Sequence, residues 1–289
     1  MASSGWKIRE GKRPAMEARD LFFSYGKNQI LKGVNIQIKE GKITTILGAN
    51  GSGKSTLFSL LTKNLTPAKG RLFLEGINLN NLTLKDFARK VVIVQQYNSA
   101  AGDITVSQLV SFGRTPHLHV LKDTAKDDEE KINWALEVTN LTEYSNREVS
   151  RLSGGQRQRV WIAMALAQGT KILFLDEPTT YLNIRYQIEI LQLVKRLNKE
   201  FSMTVIMVLH DINQAIAYSH EIIGLYDGKV SIQGVPEEVV TRDSMHHRNS
   251  IPVNIWPKCR TRILMPLCLL QVRIERERMC WHARFTGGV

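Results

Sequence analysis

The stretch that decides the fold reads GANGSGKST over residues 48–56 and follows the apolar run ITTIL at residues 43–47. Three glycines within residues 48–53 allow a tight turn whose backbone N–H groups point into one small space. The lysine and the two hydroxyl residues come at the end of that turn, where a helix is predicted to begin. A strand, a glycine-rich turn and a helix N-terminus together favour the binding of a phosphate group.

The spacing of this stretch fits the P-loop pattern G-x-x-x-x-G-K-[ST] in the strand–loop–helix context that the pattern requires. The alternative interpretation is a flexible Gly/Ser turn, which the context disfavours. Lys54 can reach the β- and γ-phosphates of a nucleotide, and the Ser55 hydroxyl can bind Mg²⁺. The residues predicted to bind nucleotide here are Gly48, Asn50, Gly51, Ser52, Gly53, Lys54, Ser55 and Thr56.

A second predicted strand ends in two acidic residues. The apolar run at residues 171–175 is followed directly by Asp176 and Glu177. At the tip of such a strand, Asp176 can hold Mg²⁺ through water, and Glu177 can orient or deprotonate an attacking water. Acids at the end of an apolar strand are by themselves an ordinary loop boundary. The P-loop upstream makes them a predicted catalytic pair.

The third motif is LSGGQ at residues 152–156, which opens a predicted helix over 156–168. Ser153 is a typical N-cap residue, and the two glycines after it leave the helix N-terminus open to an anion. Ser153 lies 100 residues after Gly53, so one chain offers two separate phosphate sites.

Strands and helices alternate along the chain. The predicted strands are 71–75, 91–95, 171–176, 204–209 and 221–226, and the predicted helices are 54–64, 156–168, 184–200 and 212–219. A hairpin turn is predicted at Asp227-Gly228. Continuous apolar strands such as 172–175 indicate a sheet covered on both faces. The fold class predicted is therefore α/β.

Composition and charge restrict the class of protein. Of the 289 residues, 43% are hydrophobic and 23% charged, as in soluble globular proteins. No stretch reaches the ~20 apolar residues of a membrane-spanning helix, and no secretory signal is evident, so we expect a cytoplasmic chain. Residues 246–289 hold eight Lys/Arg against two Glu, a net +6 of the total +12. This distribution weakens the hypothesis of a nucleic-acid partner.

All three cysteines, Cys259, Cys268 and Cys280, also lie in this C-terminal region. Their odd number does not fit a disulfide framework, and their spacing matches no usual zinc site. We therefore expect neither.

The order P-loop, LSGGQ, acidic strand end and then a histidine after a strand resembles the ATP-binding subunit of ATP-binding cassette (ABC) transporters. The resemblance covers about residues 16–245 and leaves 1–15 as an extension and 246–289 as an atypical basic tail. It implies a P-loop NTPase (RecA-like) parallel-sheet core, an N-terminal antiparallel β part and an inserted helical subdomain at about 97–159. It also implies a homodimer that sandwiches two ATP molecules.

The resemblance assigns roles to individual residues. Tyr25 would stack on adenine, although a core aromatic is the alternative. Gln96 would touch Mg²⁺ and the attacking water and sense the transmembrane partner, with neighbouring Gln95 leaving the register open. His210 would contact the γ-phosphate, completing a catalytic set with Glu177 and Gln96.

Two further sets follow from the resemblance. The Mg²⁺ ligands would be Ser55, Gln96 and Asp176. The P-loop of one subunit would face the signature motif of the other. The signature residues predicted to contact ATP across the dimer are Ser153, Gly154, Gly155 and Gln156.

The chain departs from the family at two places. Asn183 stands where the family usually has Asp, which removes a charge and predicts weaker crosstalk between the two ATP sites. After Trp256 the sequence is rich in Arg, Cys, Met and Trp without periodicity. An altered reading frame or a poorly packed extension is one interpretation of this tail, and a regulatory or membrane-surface segment is the other.

Residues 102–106, 111–118 and 210–215 resemble importers of iron chelates, haem and cobalamin. This implies integral-membrane permease subunits, indirectly an extracytoplasmic substrate-binding protein, and a peripheral location at the cytoplasmic face of the inner membrane. The permease would dock on the helical segment after Gln96. Iron(III)-siderophore cargo is favoured, with haem or cobalamin as the alternative.

Three other classes of protein share part of this pattern. A soluble ABC ATPase of translation usually carries two cassettes, whereas each motif occurs once here. A DNA-repair ATPase splits its motifs with a long coiled coil, whereas no sustained heptads separate Gly53 from Ser153. A regulatory module with a nucleic-acid-binding tail would need a recognisable motif in that tail, and none is present.

Overall fold

The computed structural model describes residues 14–100, 102–117 and 124–239. The predicted basic tail at 246–289, with its three cysteines, lies outside the described residues, as does nearly all of the predicted extension at 1–15.

Ten strands and eight α-helices are found in the described residues. The strands are β1 (Met16–Tyr25), β2 (Asn28–Ile38), β3 (Ile43–Gly48), β4 (Lys69–Leu74), β5 (Ile77–Asn78), β6 (Val91–Val94), β7 (Ile172–Asp176), β8 (Thr204–Val208), β9 (Glu221–Tyr226) and β10 (Lys229–Gly234). The helices are α1 (Lys54–Leu61), α2 (Leu84–Ala88), α3 (Val106–Ser111), α4 (Thr124–Val138), α5 (Gly154–Ala167), α6 (Ile184–Phe201), α7 (Ile212–Tyr218) and α8 (Pro236–Val239).

Six strands form the central sheet in the order β10-β9-β3-β8-β7-β6. The strands from β9 to β6 run parallel, and β10 returns antiparallel after the hairpin turn at Asp227-Gly228. Every residue of β3 and β8 is buried, as their continuous apolar sequence indicates. Because parallel strands end at one edge of a sheet, the segments after β3, β6, β7 and β8 come together there.

The second sheet is antiparallel, in the order β2-β1-β4-β5, and confirms the predicted N-terminal β part. Its apolar side chains share one core with α1 and with the central sheet. Leu21 of β1, Leu31 of β2 and Leu57 of α1 are all fully buried in that core. The P-loop is thereby fixed between the two sheets.

Helices α3, α4 and α5 lie between β6 and β7 in sequence and pack on one another. Buried Arg114 joins them: its Nε donates to Asp128 Oδ1 of α4 at 2.6 Å, and its Nη1 donates to Ala167 O at the end of α5 at 3.0 Å. A Cβ at Gly113 would lie 2.0 Å from Met164 O, so the segment runs against α5. The subdomain limits at about 97–159 stay a prediction.

Two helix boundaries differ from the predicted ones by two residues or more. α1 ends at Leu61 rather than at residue 64, because Lys63 takes a left-handed φ of +61°. α5 begins at Gly154, two residues earlier than predicted, because Ser153 caps it directly. Among the described residues, no helix is both long and apolar enough to cross a membrane.

Candidate nucleotide-hydrolysis site

The P-loop joins β3 to α1 at the edge where the parallel strands end. Gly51 and Gly53 have φ values of +79° and +102°, which glycine adopts without strain. A Cβ at Gly53 would lie 2.7 Å from Leu31 Cδ2, whereas one at Gly51 would meet nothing within 4 Å. The loop is therefore packed against β2 at Gly53 and open at Gly51, where a ligand can approach its backbone.

Lys54 turns back over this loop. Its Nζ donates to Gly48 O at 2.9 Å and to Ala49 O at 3.0 Å, and the side chain is buried. Burial lowers the pKa of Lys54, and the charges of Glu177 and Asp176 oppose that effect. An ammonium group has three N–H donors, so a phosphate oxygen can accept the third.

Asp176 is the last residue of β7 and is partly buried. The pKa of its carboxyl group is raised to about 6, mainly by burial and then by the charge of Glu177, while the charges of His210 and Lys54 act in the opposite direction. A partly buried carboxylate beside a second negative charge would be stabilised by a divalent cation at the end of β7.

The remaining donors also fit Mg²⁺. The described residues contain no cluster of three or more His, Cys, Asp and Glu side chains able to hold a metal ion. Mg²⁺ does not need one, since it usually binds one or two carboxylates together with substrate phosphates. The predicted set of Ser55, Gln96 and Asp176 has that character and stays a prediction.

Glu177 is the centre of the site, because three side chains from three loops contact its carboxylate. Gln96 Nε2 donates to Oε2 at 2.7 Å, Thr180 Oγ1 donates to Oε2 at 3.1 Å, and His210 Nε2 lies 2.6 Å from Oε1. The three predicted catalytic residues are thus brought together. Gln96 rather than Gln95 makes the contact. Thr180 was not predicted from the sequence.

The backbone at Glu177 is unusual. Its φ is +47°, in the left-handed region that residues with a side chain rarely occupy. Such conformations persist only where the surrounding contacts fix them, and they concentrate at functional sites. In this conformation the carboxylate contacts Gln96 and His210.

Tyr25 ends β1 and is 56% exposed, with its ring edge-on to Phe23 at a centroid distance of 4.9 Å. It is not the core aromatic of the alternative interpretation. An exposed ring can stack on a base, and the adenine contact stays a prediction.

The LSGGQ residues form the start of α5. The Ser153 hydroxyl accepts from the Gln156 N–H at 3.3 Å, and Gln156 Oε1 accepts from the Ser153 N–H at 2.9 Å, which is a complete capping box. A Cβ at Gly155 would lie 2.5 Å from the Tyr186 ring, whereas one at Gly154 would lie 3.6 Å from Leu182. Gly155 is therefore required by packing, and Gly154 faces freer space.

No hydrogen bond or ion pair found in the described residues joins this motif to the P-loop of the same chain. That is compatible with the predicted contact across a dimer, which stays a prediction.

Asn183 caps α6 by accepting from the Tyr186 N–H at 3.1 Å. An Asp could accept the same bond, so the replacement leaves the local fold intact and changes only the charge.

A family model described as ABC transporter matches residues 31–180. The chain belongs to the ABC transporter family. Its ABC domain implies ATP binding, and the P-loop described above is where that binding would occur.

Curated relatives are similar over most of their length. The petrobactin import ATP-binding protein FpuC of Bacillus anthracis is 44% identical over 236 residues, which are 82% of this chain and 87% of FpuC. The iron(3+)-hydroxamate import ATP-binding protein FhuC of Bacillus subtilis (strain 168) is 43% identical over 264 residues, 91% of this chain and 97% of FhuC.

Solved ABC cassettes have the same fold. The dimeric ATP-binding cassette MJ0796, in a post-hydrolysis state bound to ADP and Pi, matches with a TM-score of 0.66 at 30% identity. The match covers 76% of this chain and 98% of MJ0796. The predicted P-loop NTPase fold class is confirmed.

Proposed function

We propose that this ABC chain hydrolyses ATP to ADP and phosphate and thereby powers the uptake of an iron(III)-siderophore-type chelate through separate permease subunits. The observation that carries the proposal is the Glu177 carboxylate, held by Gln96, Thr180 and His210 at the sheet edge that also holds the P-loop. This arrangement suits a general base beside a bound γ-phosphate.

In the proposed reaction, Glu177 accepts a proton from a water molecule as that water attacks the γ-phosphorus in line. The bond from the γ-phosphorus to the oxygen of the β-phosphate breaks, and ADP carries that oxygen away. Gln96 and Thr180 fix one carboxylate oxygen, and His210 fixes the other. Lys54 neutralises charge on the β- and γ-phosphates.

Ser55, Gln96 and Asp176 would hold Mg²⁺ in this proposal. When bound, the ion neutralises negative charge on the phosphate oxygens. Asp176, whose pKa is raised to about 6 mainly by burial, gains a cationic partner in this way.

Two copies of the chain would form the working unit, with each ATP between the P-loop of one copy and Ser153–Gln156 of the other. The dimeric state of the similar cassette MJ0796 supports a dimer of this chain. The dimer would bind integral-membrane permease subunits at the cytoplasmic face of the membrane, and a substrate-binding protein would act through the permease. No nucleic-acid partner is proposed.

The cargo class is supported by the names of the relatives, which are import ATP-binding proteins for petrobactin and for iron(3+)-hydroxamate. In this proposal the permease and the substrate-binding protein contact the cargo, and the ATP-binding subunit does not. The cargo therefore has to be tested with the complete transporter.

The variant Glu177→Gln tests the chemistry. The amide keeps an oxygen that can accept from Gln96 and Thr180, so the local structure and ATP affinity are expected to persist. Turnover should fall by about 10²–10⁴-fold, because the amide is a very weak base. Glu143→Gln, an exposed residue of the 142–144 turn, is the matched control. Normal turnover in Glu177→Gln would contradict the proposal.

The cargo is tested by measuring ATP hydrolysis of the transporter reconstituted in lipid with each loaded binding protein. We expect ferric siderophore to stimulate turnover. If only haem or only cobalamin stimulated ATP hydrolysis, the chain would instead serve an importer of that compound. Hydrolysis that no permease alters would favour a soluble, non-transport ABC ATPase.

A further inference from the structure

Two glutamine side chains lie beside the loop that follows Glu177. Gln214 Nε2 in α7 donates to Gln187 Oε1 in α6 at 2.6 Å, and both side chains are partly buried. Gln187 Nε2 donates onward to Leu182 O at 2.8 Å, and Gln214 Oε1 accepts from Thr179 Oγ1 at 3.3 Å. The amide pair thus holds the loop at Thr179 and at Leu182.

The same pair is tied to the histidine of the site. Asp211 caps α7 by accepting from the Asn213 N–H at 2.7 Å and from the Gln214 N–H at 3.4 Å. His210, the residue before that cap, contacts Glu177. These contacts, together with the backbone, form a closed ring. It runs from Glu177 to His210, along α7 to Gln214, and through Thr179 and Thr180 back to Glu177.

The loop needs such support. Glu177 and Tyr181 both have left-handed φ values, +47° and +62°, which are disfavoured for residues with a side chain. The backbone bonds within the turn are long, with Thr180 N to Glu177 O at 3.2 Å and Leu182 N to Thr179 O at 3.4 Å. Side-chain contacts from α6 and α7 must therefore contribute to its shape.

We propose that Gln187 and Gln214 are positioning residues for hydrolysis: they fix the 179–182 loop, and through Thr180 they set the Glu177 carboxylate opposite His210. This proposal rests on the proposed ATPase function of Glu177. The two glutamines do not touch the reacting atoms. Their effect passes through the Thr180 hydroxyl, which donates to Glu177 Oε2 at 3.1 Å.

The test compares Gln187→Met and Gln214→Met with Gln233→Met. Gln233 makes an amide–carbonyl bond of 2.7 Å to Gln37 O at the far strand β10, so the control removes a similar bond elsewhere. We expect kcat for ATP to fall about three- to tenfold in the first two variants, as for the loss of one or two hydrogen bonds. KM for ATP should stay within about twofold, because the P-loop is untouched.

Coupling is the second readout. The glutamines share one bond, and each also holds the loop at a point of its own. The double variant should therefore be slower than either single variant, but its loss of kcat should be smaller than the two single losses combined. In a Thr180→Val background, Gln214→Met should have much less effect, since its route to Glu177 is already cut. A role in stability alone would reduce the amount of folded enzyme and leave kcat per folded chain unchanged.

If circular dichroism shows that the methionine variants do not fold, variants that remove only one hydrogen-bond donor test the same role. Gln187→Glu keeps the acceptor for Gln214 and loses the donor to Leu182 O, and Gln214→Glu keeps the acceptor for Thr179 and loses the donor to Gln187. Each should also lower kcat.

The proposal is overturned if the glutamine variants match Gln233→Met in kcat, or if their effects add to that of Thr180→Val. Glu177→Gln, measured in parallel, separates the two levels of inference. An inactive Glu177→Gln with fully active glutamine variants refutes the positioning role alone, whereas an active Glu177→Gln refutes the function on which it rests.

Discussion

His220 predicts a pH dependence of stability. Its Nδ1 accepts from the backbone N–H of Ile43 at 3.1 Å, at the start of the strand that leads to the P-loop. A ring nitrogen can accept only when it carries no proton, so the folded protein holds the neutral ring. Burial lowers the pKa of His220, the charges of Lys42 and Lys195 lower it further, and Glu221 opposes them.

The sign of the effect follows from that direction. Because the pKa of His220 is lower in the folded chain than in the unfolded chain, the unfolded chain takes up the proton first as the pH falls. The stabilising contribution is therefore present above the ordinary histidine pKa and is lost on acidification. One hydrogen bond sets its size, and the exposed ring edge weakens the effect of the lysines, so we expect about 0.5–1 kcal/mol.

The variant His220→Asn isolates this contribution. Its Oδ1 can accept from the Ile43 N–H much as Nδ1 does, but it does not titrate. The free energy of unfolding of both proteins is measured with urea at about pH 7.5 and about pH 5.5. Between these pH values it should fall by about 0.5–1 kcal/mol more for the natural chain than for His220→Asn. The other histidines are the same in both proteins, so their contributions to the pH dependence cancel in this comparison. Parallel losses in the two proteins would refute the reasoning.

Two further predictions concern packing. Gly155→Ala should lower the free energy of unfolding by about 1–3 kcal/mol, because its Cβ would lie 2.5 Å from the Tyr186 ring. Gly154→Ala should be nearly neutral, and urea unfolding of the two variants measures the difference. Arg114→Met leaves the partly buried Asp128 without its 2.6 Å partner and should cost about 3 kcal/mol, measured the same way. A loss under about 1 kcal/mol would contradict the anchoring role.

The sequence was most informative where function depends on chain order. Lys54 and Glu177 were predicted from local patterns, whereas Gln96 and His210 were assigned through the resemblance to ABC transporters. The fold brings all four residues to one edge, because they follow parallel strands of the same sheet. Gln96 was chosen over Gln95 through the resemblance alone, because both glutamines stand at the end of the same short strand. Only the contact with Glu177 distinguishes them.

Contacts between separate helices could not be predicted. Gln187 and Gln214 lie on different helices, and nothing in either local pattern marks an amide that faces another amide. Thr180 was missed for a related reason, since its hydroxyl donates to Glu177 across a tight turn that begins at Glu177, a residue with a left-handed φ. The early end of α1 likewise depends on one backbone angle at Lys63.

Lys54 has a consequence for how P-loop variants are understood. Its ammonium group bridges the carbonyls of Gly48 and Ala49, so the cation is part of the loop's own framework. Lys54→Ala therefore removes a brace as well as a charge. Lys54→Arg keeps the charge but spreads it over a planar fork that is wider than one ammonium group. Comparing the nucleotide affinities of these two variants separates the shape of the phosphate cradle from its charge.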